Sequence, residues 1–216
     1  MSQPSSKPSL ILLGHNGAGK STLIRWLLGF YPDSSHHPFL EKWQEISQLD
    51  LNGLGFVPEL PYLDQSLTGG DQFRMFSRLK GVSLSHKEMC KLLDRTGLDH
   101  EVLSKPIKKY SKGMKQRLML SIALIGDPHT LLLDEPLSGL DPFGHKQIID
   151  LLLEVKSTCR LILSTHNLQD AWTLGDEIWL LQQGNFVYQG DKPETSEALD
   201  KLYFDHPPEV NASSAA

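Results

Sequence analysis

Gly14-His15-Asn16-Gly17-Ala18-Gly19-Lys20-Ser21 has the spacing G-x-x-x-x-G-K-S. Glycines at these intervals let successive backbone N–H groups turn toward one anion, and the helix that follows adds its positive N-terminal end. In such a loop Lys20 reaches the β- and γ-phosphates of a nucleotide and the Ser21 hydroxyl ligates Mg2+. Thr22 adds a hydroxyl near the α-phosphate. His15 occupies a position where the pattern accepts any residue and is read as a tolerated polar side chain in the phosphate-lining loop. A second constellation is Asp134-Glu135-Pro136, which follows the apolar run Leu131-Leu132-Leu133. Two carboxylates at the carboxyl end of a buried strand lie on the edge where open α/β sheets bind ligands. Asp134 is placed to hold Mg2+, and Glu135 to polarise an attacking water as general base.

These groups need rigid elements behind them. Residues 10–13 are a short, continuously apolar run, the pattern of a buried parallel strand. Further strands are expected at 54–57, 130–133 and 160–163, with a strand pair at 177–181 and 186–188 around Gln183-Gly184-Asn185. Helices are expected at 21–28, 39–49, 68–79, 85–96, 111–125, 142–156, 168–174 and 194–202. Ser85-His86-Lys87-Glu88 fits a capping box, and Pro142 suits a first helical turn. Residues 105–109 read as a basic loop, and 207–216 as a disordered tail. Strands alternating with helices give an α/β fold with a mainly parallel sheet.

Composition narrows the class of partner. The chain has 216 residues, a formal net charge of −5 and 22% charged residues. That balance lacks the basic excess of a nucleic-acid binder, so no nucleic acid is expected as a partner. Cys90 and Cys159 are the two cysteines, without a CxxC or zinc spacing, which fits a reducing compartment. No apolar run is long enough to span a bilayer. His36-His37 lacks further metal ligands. Asn211-Ala212-Ser213 is read as a chance acceptor match. Lys105, Lys108 and Lys109 are read as a solvated cluster.

Three more segments make a family resemblance specific. Tyr110-Ser111-Lys112-Gly113-Met114-Lys115-Gln116-Arg117 resembles the signature motif of ABC ATPases. Ser138-Gly139-Leu140-Asp141 resembles their D-loop, and Ser164-Thr165-His166 their switch-histidine segment. With the loop at 14–22 and the strand end at 131–136, five motifs fall in the family's order. The resemblance covers about residues 10–190 and is closest in flavour to the exporter-like branch. It implies a P-loop NTPase with a mainly parallel core sheet, a helical signature subdomain at about 68–112 and a reduced antiparallel β subdomain. The whole is read as one nucleotide-binding domain over 1–206. In the family two such domains face head to tail, with ATP between the P-loop of one and the signature of the other. On that pattern Ser111 and the Gly113 N–H bind the γ-phosphate across the interface. His166 contacts the same phosphate, and Asp141 couples the two sites. The implied partners are a second ATPase subunit, identical or related, and a separate transmembrane permease. The implied location is the cytoplasmic face of the cell membrane. A soluble or regulatory cassette with weak or lost hydrolysis is the alternative reading.

The chain departs from the family pattern in places. Glu59 stands where a glutamine is usual; a carboxylate there can still ligate Mg2+. Lys112 and Met114 replace the commonest signature residues, with Lys112 read as solvated. Only 13 residues precede Gly14, none aromatic, so the adenine-stacking platform is expected to be absent and discrimination of ATP from GTP weak. Residues 31–52 lack a β-rich pattern, with Trp43 read as core. Phe73, Met75 and Phe76 either line a groove for the permease or pack within the helical subdomain.

Overall fold

The computed structural model describes residues 8–30 and 53–206. Six strands form one sheet: β1 (Leu10–Leu13), β2 (Leu54–Val57), β3 (Thr130–Asp134), β4 (Arg160–Thr165), β5 (Glu177–Gln182) and β6 (Asn185–Asp191), in the spatial order β2-β3-β4-β1-β5-β6. All neighbours pair in parallel except β5 with β6, an antiparallel hairpin. The apolar runs are continuous because both sheet faces are covered. Ile11, Leu13, Leu131, Leu133, Leu161, Leu163, Ile178 and Leu180 face the larger core, while Leu10, Leu12, Leu132, Ile162, Trp179 and Leu181 face a smaller one. The alternation is the two-residue period of a pleated strand.

On the smaller core lies α1 (Lys20–Leu27), through Leu23, Ile24 and Leu27. The other face carries α4 (Lys112–Ala123), α5 (Pro142–Val155), α6 (Leu168–Leu174) and α7 (Ser196–Phe204). A helical unit of α2 (Gly69–Leu79), α3 (His86–Thr96) and short 3-10 turns at His100–Leu103 and Ile107–Lys109 is inserted before α4. Helix starts obey the expected chemistry. Thr68 with Asp71 and Ser85 with Glu88 form reciprocal capping boxes, and Ser111, Asp141, Asn167 and Thr195 each accept a backbone N–H of the turn they open.

Several boundaries move for identifiable reasons. The helix expected at 111–125 is two residues shorter at its end and starts after Ser111, which serves as its cap. Strand β4 continues to Thr165 because Ser164 and Thr165 stay paired with β3 and β1. The basic segment 105–109 is not simply loop: Ile107 is fully buried, and Pro106 bridges to Thr68. Phe73 is fully buried in the helical subdomain and Phe76 packs against the same core, so of the three groove candidates only Met75 is exposed. The helix expected at 39–49, the Trp43 reading and the tail at 207–216 lie outside the described residues.

Register decides the geometry of the sheet's carboxyl edge. Leu13 is level with Thr165, and Asp134 with Ser164. The chain therefore leaves β1, β3 and β4 side by side, carrying residues 14–20, Glu135 and His166 to one place.

Candidate active site

The loop after β1 is held open by its glycines. Gly17 and Gly19 have φ of 84° and 104°, in the left-handed region that favours glycine. Gly14 lies outside the left-handed region, but a Cβ there would collide with the Leu181 carbonyl. The loop is braced from both sides. Gly14 N–H donates to the Thr165 carbonyl (3.2 Å), and Gly184 N–H, in the β5–β6 turn, donates to the Ala18 carbonyl (2.9 Å). Asn16 and Gly17 are exposed at the crest, Ala18 is buried, and Ser21 and Thr22 open α1. His15 closes on its own loop, Nδ1 lying 2.7 Å from the Asn16 carbonyl. Because a carbonyl only accepts, Nδ1 carries the proton there.

Lys20 is buried, donates to two backbone carbonyls and forms an ion pair with one carboxylate oxygen. Its Nζ lies 2.8 Å from the Gly14 carbonyl, 3.1 Å from that of His15 and 3.1 Å from Glu135 Oε1. The other Glu135 oxygen, Oε2, is 3.0 Å from His166 Nδ1. Glu135 is thus shared between a lysine and a histidine that reach it from two other loops. Its backbone sits at φ 48°, a conformation costing a non-glycine residue about 1 kcal/mol. The strain is held by its N–H, which donates to the Ser164 carbonyl (3.2 Å) and hydroxyl (2.9 Å). Ser164 Oγ in turn donates to Asp134 Oδ1 at 2.6 Å. One serine therefore orients both acidic residues. Sequence reasoning quoted Ser164 only as a neighbour of His166; its place at the end of an apolar strand was the available signal.

Magnesium fits this donor set in a specific way. Among the described residues no three His, Cys, Asp or Glu side chains gather to cage a metal. Asp134 is buried with a carboxylate already oriented by Ser164, and the Ser21 hydroxyl opens α1 after Lys20. One carboxylate plus one hydroxyl suits Mg2+, which takes its remaining ligands from phosphate oxygens and water. Glu59 is exposed two residues past β2 and, among the described residues, makes no hydrogen bond or ion pair. The structure does not link it to Asp134.

The signature and D-loop segments are differently built. Ser111 is exposed, and its hydroxyl accepts from Met114 N–H at 3.2 Å, capping α4. Asp141 is exposed and caps α5, accepting from Phe143 N–H (3.1 Å) and Gly144 N–H (2.9 Å). The Gly144 bond is the main cause holding the Asp141 carboxyl below the usual range. The two segments touch: a Cβ on Gly113 would lie 3.4 Å from Leu140, and Lys112 lays its stem over Gly139. Lys112 is exposed, yet its chain is not simply extended into solvent. Ser111 and Asp141 stand apart from the Lys20–Glu135–His166 cluster, with no direct bond to it among the described residues.

A parallel sheet whose first strand feeds a glycine-rich loop and a lysine at a helix start, with an acidic pair on the neighbouring strand end, defines the P-loop nucleotide-binding class. The comparisons narrow this. The family model described as ABC transporter matches residues 5–138. The lantibiotic transport ATP-binding protein SrtF of Streptococcus pyogenes is 35% identical over 193 residues, covering 89% of this chain and 82% of that protein. A solved structure described as the ATP binding subunit of an ABC transporter superposes with a TM-score of 0.75 at 27% identity, covering 92% of this chain and 87% of the other. The human retinal-specific phospholipid-transporting ATPase ABCA4 is 36% identical over 182 residues, which is 82% of this chain but 8% of that protein. The chain thus spans under a tenth of some relatives it matches. It belongs to the ABC transporter family, in which it corresponds to the ATP-binding cassette.

Proposed function

We propose that this cassette binds ATP with Mg2+ and hydrolyses it to drive a separate membrane permease, to which it attaches at the cytoplasmic face. The observation that carries the reading is Glu135, held by Lys20 at 3.1 Å and His166 at 3.0 Å beside the phosphate loop. In this reading the N–H groups of 14–22 and the α1 terminus bind phosphates, and Lys20 leaves Glu135 for the β- and γ-phosphate oxygens. Ser21 and Asp134 would hold Mg2+, which when bound would neutralise phosphate charge. Released from Lys20, Glu135 accepts a proton from water, while His166 keeps the carboxylate aimed.

None of the described helices is long and apolar enough to cross a membrane, which is why a separate partner is proposed for the membrane path. The exposed Ser111 and Asp141 support a second ATPase subunit, the same chain or a related one, as the group that completes the site. The test is Mg2+-dependent ATP hydrolysis by the chain and its Glu135→Gln variant. Turnover that falls at least about 100-fold in the variant, with ATP binding retained, supports the reading. Equal rates, or no hydrolysis by the chain with or without co-expressed permease, favour a regulatory cassette.

A further inference from the structure

Helix α5 starts at the D-loop and α6 starts at the switch histidine, and one buried contact ties their first turns together. Asp170 is 4% exposed. Its oxygens lie 3.0 and 3.2 Å from His145 Nε2. His145 stands in the first turn of α5, where its N–H donates to the carbonyl of Asp141. Asp170 stands in the first turn of α6, where its N–H donates to the Asn167 side chain at 3.0 Å. Asn167 N–H is fixed to Thr165 Oγ1, also at 3.0 Å. His166 lies between those two residues and reaches Glu135.

We infer that His145 and Asp170 are positioning residues, which pass the placement of Asp141 in the D-loop to the His166–Glu135 pair within one protomer. The inference rests on the proposed ATPase reading. A carboxylate this buried is costly unless it is hydrogen-bonded and charge-compensated. Burial pushes the Asp170 carboxyl up; the His145 contact offsets this, the nearby Glu135 charge adds to it and His166 opposes it. The imidazole of His145 is the side chain that bonds this carboxylate, so a shift of the α5 start takes Asp170, and the α6 cap with it, in the same direction. Interdomain contact at Asp141 thereby becomes a displacement at His166. Neither His145 nor Asp170 touches a phosphate-binding group, so the pair acts on turnover and not on ATP affinity.

The test compares His145→Leu, which removes the donor, with His145→Gln, whose amide nitrogen can replace Nε2. Steady-state hydrolysis, thermal unfolding and histidine-ring NMR of the nucleotide-free chain are measured for each. The expected result for the leucine variant is a kcat lower by roughly 3- to 30-fold, the span of known coupling effects, with KM for ATP within about twofold. Its His166 ring signal moves, whereas the glutamine variant keeps both the rate and the signal of the original chain. An unmoved His166 signal in the leucine variant overturns the inference. So does equal loss of rate and melting temperature in both variants, which marks a packing role. If the original chain lacks turnover both alone and with co-expressed permease, the ATPase reading fails, and the His166 signal alone still decides for or against the link.

Discussion

The two halves of the proposed site are built on opposite plans. Around the phosphate loop, functional groups bond one another: Lys20 to Glu135, Glu135 to His166, Ser164 to both acidic residues. At the signature and D-loop, the side-chain hydrogen bonds of Ser111 and Asp141 among the described residues go to the helices they cap, and both side chains are exposed. The first half can hold the carboxylate proposed as the general base in place by itself. The second has chemistry suited to a phosphate, an exposed hydroxyl at a helix N-terminus, with no phosphate loop of its own protomer bonded to it. A half that is complete inside and a half that faces out are what a site shared between two subunits requires.

Substitutions can separate the halves. Ser111→Asp keeps a good helix cap but sets a negative charge where a partner's γ-phosphate is expected. The expected outcome is a loss of turnover of roughly 100- to 1,000-fold with an unchanged melting temperature, the cost of removing or opposing one charge-stabilising group. A normal rate would remove Ser111 from the site. Gly14→Ala acts inside the other half, where the new methyl meets the Leu181 carbonyl. Overpacking of this kind costs about 1–3 kcal/mol, and weaker ATP binding with a lower denaturation midpoint is the expected pair of readouts.

Tyr110→Phe, one residue before Ser111, probes the scaffold of the outward half. The Tyr110 hydroxyl donates to the Val102 carbonyl, and burial pushes its pKa up to about 12. The neutral form is therefore favoured in the folded state. Its contribution is complete below pH 10, where an unfolded tyrosine begins to ionise, and is lost as pH rises through about 12. The variant should lose about 1 kcal/mol at neutral pH and show a flatter decline of stability between pH 10 and 12, read by urea titration. An alkaline decline identical to that of the original chain would place its cause elsewhere.

The contrast also explains what was legible in the sequence. Strands 10–13 and 130–133 were readable because burial on both faces leaves an unbroken apolar run. Lys20, Asp134, Glu135 and His166 were readable because their chemistry is tied to short local patterns at strand ends. Ser85 with Glu88 was readable because a cap is a local bond. The rest depends on what packs against what. The period of α2 does not say that Phe73 points inward while Met75 stays exposed. Nothing local to Glu59 says that it stands exposed without a hydrogen bond among the described residues. His145 and Asp170 lie 25 residues apart and meet only because α5 and α6 leave neighbouring strand ends. Ser164 could be recognised as bridging Asp134 and Glu135 only once the β3–β4 register was known.

The claim that a second subunit completes the site is tested most directly by the Glu135→Gln variant in ATP and Mg2+. Its mass in solution is measured by light scattering after size exclusion, alongside bound nucleotide. The account predicts a dimer in ATP that reverts to monomer when Ser111→Asp is added, with ATP still bound. A monomer that holds ATP regardless of either substitution would contradict it.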